Sequence, residues 1–332
     1  MVWIMGLVSL VALVVGTIAW LQEQRCGLAF ESISNEVPWG LYIVIYFFLA
    51  GTGGGMLALA SVPGAIAPEA SRVIALLAFA FLVGSGFSIL VDLGRPARAW
   101  RLVAAGRLTS PMFWDFIGLA QGVAVSFLLA LWRPVEGSEA GYLRAAAGLI
   151  STLFLFGAEG WTLLIYPGKR NWMHPYVPLV LFAEGVISGG AVTFLLLKDY
   201  WPWLPILVAG LSVVLPLLER AEEWFLVGGL RPHFKLVHSN QLRLWMGLGA
   251  LVLLLLGTES SFLRVAGGIL LLIQAWIGKW AMVLIPQLQM PYEQERMLKK
   301  KPVYRPAVWE YLVVAGIFGL TGLLSGVFLY FI

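Results

Sequence analysis

The sequence predicts an all-α integral membrane protein of about ten transmembrane helices, and three observations predict it. Of its 332 residues, 60% are apolar or aromatic and only 12% are charged, with a mean hydropathy of +0.87. A soluble domain of this size needs a polar surface that such a composition does not supply. The apolar residues also fall into runs of roughly 18–25, the length that crosses about 30 Å of hydrocarbon. Because backbone groups in lipid must be satisfied within their own segment, these runs form helices rather than open strands.

The runs lie near residues 3–21, 38–62, 72–92, 111–132, 142–166, 176–197, 201–218, 243–257, 261–285 and 307–331. The first begins directly after Met1, with no basic stretch before it and no small-residue cleavage site, and reads as a retained helix rather than a signal peptide. Pro202, Pro205 and Pro216 interrupt the seventh, and Gly257 closes the eighth early. Nothing between the runs is long enough to fold separately, so the chain is a single membrane domain over 1–332. An internal echo subdivides it. Pro38-Trp39 leads through Phe47-Phe48 to Gly53-Gly54-Gly55, and Pro175-Tyr176 leads through Phe182 to Ser188-Gly189-Gly190. The offset of four helices predicts two four-helix bundles, 38–166 and 176–285, with peripheral helices at 1–21 and 307–332; parallel repeats of this kind occur in membrane folds.

Charge predicts the orientation. The loops on the side of the first interhelical connection (side B) hold sixteen of the Lys and Arg residues, among them Arg25, Arg95, Arg98, Arg101, Arg107, Arg243 and the run Lys299, Lys300 and Lys301. Side A holds five: Arg72, Arg133, Arg144, Lys198 and Arg264. The positive-inside rule then puts side B in the cytoplasm and both termini outside. With Cys26 alone, the chain builds no disulfide framework and no Cys-ligated metal or iron–sulfur site by itself. His174, His233 and His238 lie outside the apolar runs, which argues against an intramembrane haem. No metal and no haem are therefore expected in this chain, and no nucleic acid is expected as a partner.

Ionisable residues inside spans are costly and mark functional candidates. Here they are Asp92, Asp115, Glu159, Glu184 and Lys279, with Gln121 and Gln274 as polar neutrals. Asp92 ends the third span at side B, Asp115 lies about one turn inside the fourth, and Glu159 about two turns inside the fifth. Trp39, Tyr42 and Tyr46 share one face of the second span, and Glu159 and Tyr166 lie on one stripe of the fifth. Gly118 and Gly122 follow Asp115 on its own face and allow either close helix approach or a slot for a flat ligand. Four consecutive helices thus aim polar and aromatic groups at one place near side B. A quinone head group needs such a place: donors for its carbonyls, groups that exchange two protons, and aromatic walls. Beside this stand plainer readings. Trp39 and Tyr42 also fit an interfacial aromatic belt, Asp92 also fits a pair with Arg95, and Glu184 and Lys279 fit either a proton path through the second bundle or a buried ion pair.

Asp92-Leu93-Gly94-Arg95-Pro96, followed by Ser110-Pro111-Met112-Phe113-Trp114-Asp115, resembles the membrane subunit of polysulfide reductase-like enzymes, the NrfD/PsrC family. Trp39-Gly40-Leu41 with the glycine-rich Gly51–Gly55 segment is similar to a second family signature, and Leu163-Leu164, Trp172 and Pro178 to a third. The resemblance covers roughly residues 36–285. It implies a quinone-binding anchor of a respiratory oxidoreductase in the cytoplasmic membrane of a prokaryote. The implied partners are a ferredoxin-like iron–sulfur subunit and a catalytic subunit that is usually molybdopterin-dependent. The implied bound substrate is menaquinone or ubiquinone. Glu159, Asp115 and Tyr46 are then the expected proton-handling residues, with Trp39, Tyr42, Asp92, Arg95, Trp114 and Tyr166 around the quinone. Glu184, Gln274 and Lys279 are expected on a proton path, and Arg98, Arg101 and Arg107 in the docking surface. Two positions depart from the family pattern: Glu159 stands where members often carry a tyrosine, and Tyr46 where some carry a histidine. Two further readings stand beside this one, an ion-translocating subunit without its own quinone chemistry and a secondary transporter.

Overall fold

In the computed structural model the described residues are 2–26, 33, 37–132, 135, 137–165, 172, 175–198, 200–226, 234–257, 260–288 and 304–330, with backbone alone for 2–3, 221–226 and 234–238. These residues form helices α1 (Val2–Cys26), α2 (Leu41–Ser61), α3 (Pro68–Asp92), the short α4 (Arg101–Ala104), α5 (Pro111–Leu131), α6 (Glu139–Leu164), α7 (Val177–Leu196), α8 (Leu204–Leu226), α9 (Phe234–Leu256), α10 (Ser261–Leu288) and α11 (Val308–Tyr330). Among the described residues nine helices are long and apolar enough to span a bilayer. The protein is an all-α integral membrane protein.

Local sequence accounts for the helix ends. Pro68, Pro111 and Pro178 occupy first-turn positions, where the missing N–H has no intrahelical partner to lose. Ser138 caps α6, its hydroxyl accepting from Gly141 N at 3.1 Å. Three helices run furthest past the spans expected from hydropathy. α1 continues to Cys26, α8 to Leu226, and α9 begins at Phe234 rather than near 243. Hydropathy tracks lipid exposure, whereas the backbone hydrogen bonds of a helix continue through Glu23, Glu219 and Arg243 wherever other helices enclose those side chains. Arg243 is consequently not a loop charge on side B but a buried residue, 3% exposed, within α9. His238 lies in the first turns of α9 rather than in a loop; His174 and His233 fall outside the described residues. Pro216 is accommodated inside α8.

α2 is the central helix, with every residue from Leu49 to Ser61 buried. It packs on α3 and α6, while α3 packs on α5 and α5 on α6. Separately, α7 packs on α8 and α10, and α9 on both α8 and α10. The two sets meet chiefly where α2 crosses α7. There the two glycine-rich segments of the internal echo face each other. A Cβ on Gly55 would collide with the Gly185 carbonyl, and one on Gly189 with the backbone of Gly55 and Met56. Only hydrogen at these positions permits the backbone contact. α1 pairs with α11 through Gly16 and Gly316, and α11 leans on α3, so both peripheral helices flank the first set of four.

At side A two arginines tie helix ends together. Arg144 donates to the carbonyls of Ala60 and Leu129 and to Ser71 Oγ, and Arg72 Nε donates to Ala130 O at 2.9 Å. These guanidinium groups satisfy C-terminal carbonyls of α2 and α5 that have no intrahelical donor.

Candidate functional site

Three of the ionisable side chains expected near side B converge. Tyr46 projects from α2, Asp115 from α5 and Glu159 from α6, and each is at most 6% exposed. The Tyr46 hydroxyl donates to Asp115 Oδ1 at 2.8 Å. Glu159 lies against the same hydroxyl and close to Asp115, but neither of its oxygens has a hydrogen-bond partner among the described residues. The helices that present them are held in register by hydroxyls on α3: Ser85 donates to Tyr46 O at 3.0 Å and Ser88 to Tyr42 O at 2.6 Å. Gly118 serves close approach rather than a slot, since its Cβ position lies 3.2 Å from Ala158 Cβ on α6. Gln121, one turn further, donates to Ser151 O at 2.9 Å and fastens α5 to α6.

The remaining candidates spread over distinct surroundings. Tyr42 is buried, but its hydroxyl donates to Glu23 of α1. Asp92 does not pair with Arg95, which is exposed. The charged groups that act on Asp92 are Glu23 of α1 and Glu310 of α11, and Glu310 accepts from Tyr304. Trp39 stacks on Trp172 with centroids 4.8 Å apart, and its backbone N–H donates to Gln287 Oε1 at 2.9 Å. Trp114 donates its indole N–H to Leu108 O at 2.7 Å and meets Phe154 edge-on. Tyr166 lies outside the described residues. Arg98, Arg101 and Arg107 are exposed on the segment between α3 and α5, beside the equally exposed Trp100, Val103 and Leu108.

The second set of four holds a buried ion network that sequence reading found only in part. Glu184 on α7 is bound at one oxygen by Arg243 Nη2 and at the other by Lys279 Nζ, both at 2.7 Å. Arg243 Nη1 reaches Glu219 of α8 at 2.6 Å. Gln274 donates to Ser212 O and Arg243 O, strapping α10 to α8 and α9. Glu219 was missed because it lies just past the expected limit of its span, and Arg243 because it stands at the very start of its span and counts as a loop charge; their place on one helical face with buried core residues was the available signal. Among the described residues no group of three or more His, Cys, Asp or Glu side chains is arranged to hold a metal ion.

Residues 31–201 match the family described as "Polysulphide reductase, NrfD". That segment is more than half of the chain. The chain belongs to the NrfD family. The matched segment contains Tyr46, Asp115, Glu159 and Glu184, whereas Glu219, Arg243 and Lys279 lie beyond it. Two relatives extend the likeness past it. One is a protein of Halobacterium salinarum described as a membrane subunit of dimethyl sulfoxide reductase, 28% identical over 79% of this chain and 71% of its own length. The other is a selenate reductase subunit of Mesobacillus selenatarsenatis, 21% identical over 95% of this chain and 90% of its own length.

Proposed function

We propose that this protein is the membrane subunit of a multi-subunit oxidoreductase and that it binds quinone or quinol at Tyr46, Asp115 and Glu159. The observation that carries the reading is Glu159: a carboxyl group sealed from water, beside a phenol and a second carboxyl, with no donor to either oxygen among the described residues. Burying a polar group without a partner costs roughly 2–7 kcal/mol, so the site gains most from an incoming group that hydrogen-bonds there. A quinone carbonyl or quinol hydroxyl is such a group. Its two-electron interconversion moves two protons, and Tyr46, Asp115 and Glu159 are three proton-capable groups gathered at one place. Membership of the NrfD family, and relatives described as a membrane subunit of dimethyl sulfoxide reductase and a subunit of selenate reductase, support an anchoring role with a catalytic partner.

Electrons pass to or from a ferredoxin-like iron–sulfur subunit that docks on the exposed side B segment bearing Arg95, Arg98, Arg101 and Arg107, with a catalytic, molybdopterin-dependent subunit beyond it. Exposed arginines interspersed with Trp100, Val103 and Leu108 have the composition of a protein-docking surface. Side B faces the cytoplasm in this reading and both termini lie outside. The buried network of Glu219, Arg243, Glu184 and Lys279 favours a second activity alongside the first, proton translocation through the second set of helices.

The deciding experiment is Glu159→Gln in the native complex. It removes the proton and keeps the shape. Quinone-linked turnover is expected to fall by about 10²–10⁴, the usual worth of a general acid or base, while the subunits still co-purify. Unchanged turnover removes Glu159 from the site, and purification of the chain as a lone polypeptide that exchanges a solute overturns the redox reading.

A further inference from the structure

One side chain belongs both to the ion network and to the candidate site. Lys279 projects from α10 between α7 and α2. Its ammonium pairs with Glu184 Oε2 at 2.7 Å, and its charge also acts on Glu159. Its stem lies against α2 at Gly51, where a Cβ would stand 3.3 Å from Lys279 Cε and 3.7 Å from Nζ. On its own helix, Gly278 leaves room for the opposite wall, since its Cβ position is 2.6 Å from Glu184 Oε1 and 3.0 Å from Arg243 Cζ.

Charge balance decides which way the ammonium can move. Within the network two cations, Arg243 and Lys279, neutralise two acids, Glu184 and Glu219. Glu184 has two cationic partners. Glu159 has no hydrogen-bond partner among the described residues. The groups that interact with Glu159 are Tyr46 from α2, Asp115 from α5 and Lys279, and those that interact with Glu184 are Lys279, Arg243 from α9 and, beyond it, Glu219 from α8; Lys279 is common to both and sits on a flexible four-carbon stem. Once Glu159 gives up a proton, a buried negative charge is left without a counter-ion, whereas Glu184 keeps Arg243 even if Lys279 departs. Buried charges are strongly disfavoured unless paired.

We propose that Lys279 exchanges partners, swinging from Glu184 to Glu159 when Glu159 is deprotonated and returning when it is reprotonated. The inference rests on Glu159 acting as a proton donor in the site proposed above, and it adds how that event is transmitted. One proton leaves Glu159. The ammonium follows the charge, and Glu184, then held only by an Arg243 that it shares with Glu219, takes up one proton from the aqueous phase. No other bond forms or breaks, and net charge within the membrane is conserved until Glu159 is reprotonated. Lys279 is thus a positioning residue that links proton handling in the two halves of the molecule.

Infrared difference spectroscopy of carboxyl C=O bands on the purified native complex tests this. Spectra are recorded in two ways: on an acid jump without quinone, and on addition of a short-tailed quinol. Bands are assigned to Glu159 and Glu184 by their loss in Glu159→Gln and Glu184→Gln. In the native chain the two bands should respond together and with opposite sign. In Lys279→Met the Glu184 response should vanish while that of Glu159 persists, and Lys279→Arg should restore the pair. A Glu184 response that persists in Lys279→Met, or is absent from the native chain while Glu159 responds, overturns the proposal. Where Lys279→Met does not assemble, Glu184→Gln decides: freed from its resting partner, Lys279 should shift the Glu159 band, and an unshifted band overturns the exchange. A paired response to acid with none to quinol would sink the quinone reading and leave the exchange standing.

Discussion

Tyr46 on α2 and Asp115 on α5, 69 residues apart in the chain, are joined by a hydrogen bond of 2.8 Å from the phenol to Oδ1 in the buried centre of the first set of helices. A phenol has one proton to donate. With that proton committed to Asp115, Glu159 has to find its own partner, and this asymmetry makes Glu159 the open position of the trio.

Tyr46→Phe removes the bond and keeps the ring, which packs against Phe47. Asp115 then loses its donor, a change worth about 1–3 kcal/mol of stability. Quinone-linked turnover is expected to drop by a factor of about 10² or more, far beyond the loss of folded protein. Paired measurement of thermal unfolding in detergent and of turnover in membranes checks the two effects separately.

Gly55→Ala tests the contact between the two halves. The added methyl would overlap the Gly185 carbonyl, and because both partners are backbone neither can rotate away. Overpacking of this type costs about 1–3 kcal/mol or more. A thermal midpoint clearly below that of the unaltered chain is expected. Gly157→Ala on α6, where nothing lies within 4 Å of the new methyl, should leave the midpoint near its original value.

Arg243→Met leaves Glu184 with Lys279 alone and Glu219 with no ion pair among the described residues. Removing one member of a buried ion network costs about 3–5 kcal/mol. Adding Glu219→Gln to that variant should recover part of the loss, because an uncompensated buried charge is then removed. A double-mutant cycle on thermal stability reads the coupling directly.

Charge reversal of Arg98, Arg101 and Arg107 to Glu changes exposed side chains, so the fold should be unaffected within about 0.5 kcal/mol per site. Co-purification of the partner subunits should weaken at low salt, and the difference from the unaltered chain should shrink as salt screens the charges, as expected for a rim of charges that steers association. Undiminished co-purification of the three-site variant moves the docking surface elsewhere.

Much of this architecture is legible in the linear chain. The apolar runs mark the helices because lipid exposure demands them, and Pro68, Pro111 and Pro178 mark entries because proline fits best in the first turn. Glu159 and Asp115 stand out because a carboxyl group in a membrane span is costly and rare. Arg243 and Glu219 do not stand out, since one lies at the first residue of a hydropathy window and the other just past the end of one. Asp92 misleads for a related reason: its neighbour Arg95 is close in sequence, but Arg95 is exposed and the charges that act on Asp92 are those of Glu23 and Glu310. Arg72 and Arg144 count as loop charges in a census of sidedness, yet they bind the carbonyls at the ends of α2 and α5.

The sequence by itself determined that the chain is a helical membrane protein, roughly where its helices run, and which polar groups they carry, because those properties follow from local composition and from the need to satisfy backbone groups within each segment. Only the tertiary structure decided which polar groups meet. Glycine against glycine lets α2 and α7 touch, and Lys279 of α10 lies against Gly51 of α2 while pairing with Glu184 of α7. Such pairings depend on helix rotation and crossing, which close packing sets between residues far apart in the chain.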